Sequence, residues 1–174
     1  LLSLAQAILT QRLPIRLHVV GQQFRSSPAE FKKIAALLEQ HAAALAIDQG
    51  SFGFVENREG YISLLRHCDV VLSTAEHDFQ GLAIQEACTL RCTPLVPDAL
   101  VYPEYIDSEF LYPFNESSGD EANCAGILKQ LDIWERMLAK DIPLPKVTLD
   151  GFSQKALRPK YAEILGRLST ARIK

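Results

Sequence analysis

Residues 69–87 read D-V-V-L-S-T-A-E-H-D-F-Q-G-L-A-I-Q-E-A, and this stretch decides the fold. An apolar run leads into a polar segment with a single glycine, Gly81, and apolar residues at helical spacing follow. The pattern predicts a strand at 69–74, a short loop and a helix at 81–91. Its two acids, Asp78 and Glu86, lie on either side of Gly81. Acids and a glycine at a strand-to-helix transition are typical of a ligand site in α/β proteins.

The same alternation of apolar runs and helical patterns continues along the chain. Three further strands are predicted, at 15–21, 51–55 and 93–97. Helices are predicted at 1–11, from a Ser26-Ser27-Pro28 start to about 42, and at 59–68, 120–139 and 153–168. Short, nearly all-apolar strands separated by helices predict an α/β fold with a doubly wound, Rossmann-like parallel sheet. The ligand of such a sheet is expected at the carboxyl ends of the strands.

Length and composition fit an ordinary globular domain. The 174 residues suffice for one domain, which we take to span 1–174. A net charge of −3 and a pI near 5.8 give no general electrostatic attraction to nucleic acid or anionic lipid. No apolar run approaches the roughly 20 residues of a membrane helix, so we expect no membrane partner and a cytoplasmic location. Because the chain opens inside a helical pattern, without Met or a basic segment, we expect a domain truncated at its N-terminus.

The chain has four cysteines, Cys68, Cys88, Cys92 and Cys124. Cys88 and Cys92 would share one helix face near Cys68, an arrangement compatible with a metal site. However, the sequence contains no C-x-x-C pair, and a second pair of ligands is not evident. Small buried thiols in a reducing cytosol are the favoured interpretation, so no metal is expected.

The residues around Gly81 have the chemistry of a nucleotide site. The helix predicted from Gly81 offers free backbone N–H groups to a phosphate, and a glycine lets an anion approach the backbone closely. Glu86 lies about one and a half turns into that helix, and its carboxylate can accept hydrogen bonds from two adjacent hydroxyls, as in a ribose. The alternative is structural. Glu86 would then be a partly exposed helix residue, and Asp78 an acid that stabilises the helix N-terminus.

The segment D-F-Q-G-L-A-I-Q-E (78–86) resembles the E-x7-E signature of retaining nucleotide-sugar glycosyltransferases with two Rossmann-like domains, the GT-B fold. Asp78 stands at the first acid of the signature and Glu86 at the second. Together with P-L-V-P-D-A-L-V-Y-P-E (94–104), the segment looks like one branch, the tRNA-queuosine mannosyltransferases and their bacterial relatives. The resemblance covers about residues 15–112, and V-Y-P-E (101–104) is its more specific part.

This resemblance implies the C-terminal, donor-binding half of a GT-B enzyme, a retaining hexosyltransferase that uses GDP-mannose. Asp78 and Glu86 would be the catalytic residues, with Asp78 facing the transferred sugar and Glu86 binding the ribose hydroxyls. The base, sugar and diphosphate of the donor would further contact Val55, Glu56, Phe79, Gln80, Gly81 and Leu82. Two residues depart from the family pattern. Asp78 replaces the usual Glu, and Gln80 replaces an aromatic residue that many members carry.

The resemblance also implies partners for the chain. The nucleotide sugar would be a substrate, without a resident cofactor or metal. An acceptor-binding domain and an Arg/Lys pair that clamps the diphosphate would precede this segment, so we expect the isolated chain to be inactive. Queuosine in tRNA is the acceptor that the resemblance implies.

Other interpretations of the sequence compete with this one. A nicotinamide-dependent oxidoreductase is disfavoured, because V-V-G-Q-Q-F-R (19–25) has one glycine where G-x-G-x-x-G needs three. A non-catalytic nucleotide-binding or partner-binding domain stays open. Tyr102 and Tyr105 could stack on the donor, although structural packing is favoured. The basic end that starts at Lys155 could contact tRNA phosphates, although a solvated helix face is favoured.

Overall fold

A computed structural model of the chain describes residues 1–21, 29–115 and 119–171. The helices in this part are α1 (Leu2–Gln11), α2 (Glu30–Leu45), α3 (Arg58–Arg66), α4 (Leu82–Thr89), α5 (Gly119–Leu138) and α6 (Gln154–Ala171). The strands are β1 (Val19–Val20), β2 (Phe52–Gly53), β3 (Val70–Leu72), β4 (Thr93–Pro97) and β5 (Leu111–Tyr112).

The predicted α/β, Rossmann-like class is confirmed, because every strand pair is parallel and helices separate the strands. The strands form two small sheets, β1-β2 and β3-β4-β5. Helix α1 lies across both of them. Its Ala5 packs against Ile34 and Leu38 of α2 beside the first sheet, whereas its Leu4 and Ile8 belong to the core over the second.

Strand β4 is the centre of the second sheet, and all five of its residues are buried. It contains two prolines, which donate no backbone hydrogen bond. The Thr93 amide donates to the Asp69 carbonyl at 2.8 Å. The backbone N–H and C=O groups of Thr93 and of every second residue after it therefore point toward β3. Pro94 therefore faces β5, which pairs with β4 only from Val96 onward. At position 94, β5 offers no carbonyl that a backbone N–H could reach, so the missing N–H of Pro94 removes no hydrogen bond.

The backbone nitrogen of Pro97 points toward β3, just after Leu72 and Leu95, the last residue pair of the β3–β4 ladder. The carbonyl that an N–H at this position would reach is that of Ser73. It accepts a hydrogen bond from the Tyr112 hydroxyl at 3.0 Å. A side chain thus supplies the donor that a proline cannot.

The predicted bounds of β4 are confirmed, whereas the other predicted strands are longer than the observed ones. The first sheet shows why, since β1 and β2 pair over only two residues each. His18 Nδ1 accepts the Ser51 amide at 2.9 Å, so a side chain occupies the place of a further ladder bond. The helix start predicted at 26–28 lies outside the described residues. Strand β5 was not predicted, because two residues carry too little periodicity.

The main core lies between the second sheet and helices α1, α4 and α5. Its fully buried side chains include Leu95, Tyr102 and Phe110, and Trp134 of α5 is 3% exposed. Helix α6 differs from the others, because it packs on the 3₁₀ turn Asp150–Phe152 and exposes most side chains up to residue 167. In the described part of the chain, no helix is long and apolar enough to cross a membrane.

We expect Trp134→Ala to lower the free energy of unfolding by about 3–5 kcal/mol, because it opens a large cavity in this core. Ile133→Ala, on the same helix but with a side chain that is 43% exposed, is the matched control and should cost about 1 kcal/mol or less. Urea unfolding followed by circular dichroism measures both values. Equal costs would contradict the position of Trp134 in the core.

Candidate functional site

The loop after β3 folds around the carboxylate of Asp78. Its Oδ1 accepts hydrogen bonds from the amides of Gln80, at 3.1 Å, and Gly81, at 2.7 Å. Its Oδ2 accepts the Tyr102 hydroxyl at 2.9 Å. Aspartate is short enough to reach backbone amides two and three positions later, the usual geometry of a turn before a helix. Asp78 therefore ties the loop to the start of α4.

A buried hydrogen-bond network lies beneath this loop. The Tyr102 hydroxyl is 2.7 Å from Ser73 Oγ, and both side chains are buried. Ser73 Oγ also accepts the Ala75 amide at 3.3 Å. The end of β3, the turn after β4 and the start of α4 are thus joined through two side chains, Ser73 and Tyr102.

Gly81 occupies a position that few other residues could take. Its φ of 63° is in the left-handed region, which a residue with a Cβ adopts only with strain. An added Cβ would overlap the Tyr105 hydroxyl and lie 3.0 Å from Tyr102 Cε1. The glycine was expected here to admit a ligand, whereas the two tyrosines already require it.

The outer face of the loop is open to solvent. Phe79 is 93% exposed and Leu82 is 64% exposed, and Gln80 is exposed as well. The backbone N–H of Gln85 donates to the Gly81 carbonyl at 2.9 Å and closes the first turn of α4. The amides at the beginning of the helix precede this bond, so they have no partner within the helix. The exposed start of α4 can therefore receive hydrogen-bond acceptors of a ligand.

Glu86 faces a different set of neighbours. Its Oε1 forms an ion pair and hydrogen bond with Arg58 Nη2. The Arg58 side chain is 74% exposed and that of Glu86 is 27% exposed. Arg58 begins α3, directly after the loop that contains Val55 and Glu56. The structure thus brings Glu86 to the segment that follows β2, although 28 positions separate Arg58 from Glu86 in sequence.

The α3 end of this segment is fixed by its own cap. Asn57 is extended, with φ −126° and ψ 152°, and its Oδ1 accepts the Gly60 amide at 2.6 Å. This cap sets the direction in which α3 leaves the loop. Val55 is half-buried and Glu56 is exposed at the same place.

The pKa values of these groups follow from their contacts. Partial burial acts to raise the pKa of Asp78, but the hydrogen bonds it accepts, from Gly81 and Tyr102 above all, outweigh it and hold the pKa below its ordinary value. Burial raises the pKa of the Tyr102 hydroxyl, and the Asp78 carboxylate adds to this effect. Burial, followed by the nearby Glu86 carboxylate, raises the pKa of Tyr61. Asp78 is therefore a stable anion, and Tyr102 is a stable donor to it.

An open cavity of about 430 Å³ adjoins the other side of the loop after β3. Polar side chains at its edge include Thr74, Glu76 and His77, and Asp120 and Asn123 of α5 lie opposite. His77 is exposed and lines this cavity. His77 takes part neither in the hydrogen bonds around Asp78 nor in the ion pair of Glu86.

The thiols carry no sign of a metal centre. Cys88, Cys92 and Cys124 are buried, Cys68 is half-buried, and all four are free. Cys92 Sγ donates to the Leu65 carbonyl at 3.2 Å. Within the described ranges, no group of three or more His, Cys, Asp or Glu side chains could hold a metal ion.

The structure decides between the two interpretations of Tyr102 and adds two contacts of Glu86. The favoured structural packing of Tyr102 is confirmed, because the side chain is fully buried and bonded to Asp78. Arg58 and Tyr61 were missed, since both meet Glu86 from another helix. The only signal in the sequence was a basic residue just after the expected base-binding loop. The predicted roles of Asp78, Glu86 and the donor-binding residues stay predictions.

Comparison with known proteins finds a relative among the glycosyltransferases. The chain is 30% identical over 157 residues to a tRNA-queuosine alpha-mannosyltransferase of Drosophila melanogaster. The matched region is 90% of this chain but 38% of that protein, so the chain spans about two fifths of the relative's length. The match supports a relationship to glycosyltransferases, as the sequence resemblance predicted. No family model and no solved structure matches the chain.

We expect Gly81→Ala to destabilise the chain by about 2–5 kcal/mol, from backbone strain and from overlap with Tyr105. Gly119→Ala is the matched control, because Gly119 also has a positive φ, 72°, but no atom within 4 Å of an added Cβ. Its cost should be about 1–2 kcal/mol. Adding Tyr105→Phe to Gly81→Ala should recover part of the difference in a urea-unfolding cycle. If the two alanine variants cost the same, Tyr105 does not constrain Gly81.

The lowered pKa of Asp78 also predicts a pH dependence of stability. Its contribution is complete above the ordinary carboxyl pKa of about 4 and is lost as the pH falls through the lower native-state value. The chain should therefore be more stable than its Asp78→Asn variant at about pH 7, and the difference should shrink below about pH 4. Urea unfolding at a series of pH values measures this, with the exposed Asp98→Asn as control. A difference that does not change with pH would show that the charge of Asp78 is not what stabilises the loop.

Proposed function

We propose that this chain is the donor-binding part of a retaining GT-B glycosyltransferase and that it binds a nucleotide sugar at the rim formed by residues 55–58 and 78–86. One observation carries the proposal. Glu86, the expected ribose acid, lies on Arg58 beside the loop expected to meet the base, although the two segments are far apart in sequence. A ribose and its base are adjacent in a nucleotide, so a site for both requires this proximity.

The Glu86 carboxylate supplies the acceptors that a ribose needs. Arg58 binds Oε1, and the second oxygen can accept from a hydroxyl. An exposed ion pair of this kind is worth little by itself, so a ligand can rearrange it at low cost. Arg58 also keeps a positive charge near the place where the diphosphate would pass, which favours an anionic donor.

The start of α4 suits the diphosphate and the sugar. The amides of the first turn of the helix, next to Gly81, have no partner within the helix, and the helix dipole favours negative charge there. Gln80 and Phe79 lie exposed on the same face. In glycosyl transfer the leaving diphosphate gains negative charge, and fixed N–H donors stabilise that charge without reorganisation.

The identity of donor and acceptor rests on similarity. The Drosophila relative is named for transfer of mannose to queuosine in tRNA. We propose GDP-mannose as the donor, queuosine in tRNA as the acceptor and a second, acceptor-binding domain as the partner of this chain. The reaction needs no metal or resident cofactor in this proposal, and the surroundings are the cytoplasm.

A second candidate is a nucleotide-binding domain without catalytic activity. The specific observation in its favour is the state of Asp78, whose carboxylate already accepts three hydrogen bonds from the protein. An acid so engaged can be purely structural. Binding of the sugar portion of the donor separates the two candidates.

We expect the chain to bind GDP with a Kd of about 1 mM or weaker, because one face of a cleft leaves much of a ligand in water. Glu86→Gln should weaken binding about ten- to hundredfold, since a hydrogen bond to a charged group is worth roughly 1.5–3 kcal/mol. Ligand-observed NMR titration measures affinities in this range.

The matched control is Glu163→Gln, which removes the same charge from another Arg–Glu pair, on α6. It should leave GDP binding unchanged. For 2′,3′-dideoxy-GDP, which lacks the ribose hydroxyls, the Glu86→Gln variant and the unmodified chain should bind about equally. If Glu86→Gln binds GDP as well as the unmodified chain does, Glu86 does not hold the ribose and the proposed function loses its support.

A further inference from the structure

We propose that Tyr102 is the positioning residue for Asp78, and that it orients this carboxylate toward the sugar of the donor. This inference rests on the proposed function and deepens it. A carboxylate has about four acceptor positions. Three are occupied, two by backbone amides on Oδ1 and one by the Tyr102 hydroxyl on Oδ2. The Phe79 amide also acts on the carboxylate, and Asp78 is only half-buried, so part of its surface stays open to a ligand.

The number of protons on each group fixes which group donates and which accepts in the hydrogen-bond network. A tyrosine hydroxyl has a single proton, and Asp78, as an anion, can only accept. Tyr102 therefore donates to Asp78 and accepts from Ser73 Oγ, which lies 2.7 Å away. Ser73 in turn accepts the Ala75 amide. Each donor in this chain has one acceptor, so the orientation of the Tyr102 hydroxyl is fixed.

The Tyr102 side chain is held in place by the packing around it. Its side chain is fully buried, and it begins the 3₁₀ turn Tyr102–Glu104, which follows β4 closely. Its ring also lies edge-on to that of Tyr105, with centroids 6.3 Å apart. A buried ring between other side chains cannot change rotamer without disturbing the core. The carboxylate of Asp78 is thus held by a rigid part of the fold.

The same geometry explains why the acid at position 78 is an aspartate. Its carboxylate must reach the amides of Gln80 and Gly81 and meet Tyr102 at once. Glutamate is one methylene longer, so the same turn would place its carboxylate differently relative to these amides and to Tyr102. The shorter acid at position 78 thus fits the contacts that the loop makes with Tyr102.

The test uses Tyr102→Phe, which keeps the ring and removes the hydroxyl. Tyr112→Phe is the matched control, because the Tyr112 hydroxyl is buried in the same network but donates to the Ser73 carbonyl instead of Asp78. Two quantities are measured on the 174-residue chain. One is the pKa of Asp78, from NMR titration of its ¹³C-labelled carboxyl. The other is the ratio of affinities for GDP-mannose and GDP.

We expect Tyr102→Phe to raise the pKa of Asp78 and to lower the GDP-mannose to GDP ratio roughly two- to tenfold, the effect of one hydrogen bond. Affinity for GDP itself and both quantities in Tyr112→Phe should stay unchanged. An unchanged pKa in Tyr102→Phe overturns the positioning role. A raised pKa with an unchanged ratio overturns the contact with the sugar. If the unmodified chain binds neither nucleotide, the proposed function fails, whereas the titration still decides whether Tyr102 positions Asp78.

Discussion

The hydrogen bonds that the Asp78 carboxylate accepts are the interaction on which the rest of the rim depends. They join three parts of the chain that would otherwise be separate: the loop after β3, the first turn of α4 and the buried turn that follows β4. The arrangement requires a glycine at position 81, because the φ is left-handed and two tyrosine rings leave no room for a side chain. The exposed surface of the loop, from Phe79 to Leu82, is therefore a consequence of a buried network beneath it. The conformation of the exposed loop is fixed by the buried hydrogen bonds beneath it.

The two acids of the opening motif have different neighbours and different tasks. Asp78 faces inward and is held by neutral donors, which keep it charged without a salt bridge. Glu86 faces α3 and a single arginine, in a pair that is open to solvent. An exposed ion pair is adaptable, whereas a buried network is rigid. The rim thus combines one fixed acid near the expected sugar with one adjustable acid near the expected ribose.

Much of the fold could be predicted from the sequence, and less of the site. The order of the helices and of the first four strands, the bounds of β4 and the strand-to-helix transition around Gly81 follow from local periodicity. The contact of Glu86 with Arg58 and that of Asp78 with Tyr102 do not, since 28 and 24 positions separate the partners. Spacing along the chain carries no information about such distances. The prolines of β4 illustrate the same limit. Only the register with β3 and β5 shows that Pro94 has no hydrogen-bond partner to lose, and that the Ser73 carbonyl opposite Pro97 takes its donor from Tyr112 instead.

The division of the strands into two sheets has a further consequence, for association between molecules. Strands β1 and β3 each pair on one side only within the described residues, and they consist of two valines and of two valines and a leucine. Natural sheet edges are kept from pairing with other chains by charges, prolines, bulges or very short edge strands. These two strands contain neither a charged residue nor a proline, so their short length is what limits such pairing. Strands of two and three residues expose few free N–H and C=O groups, and an extended segment of a neighbouring chain could form only a short ladder with them.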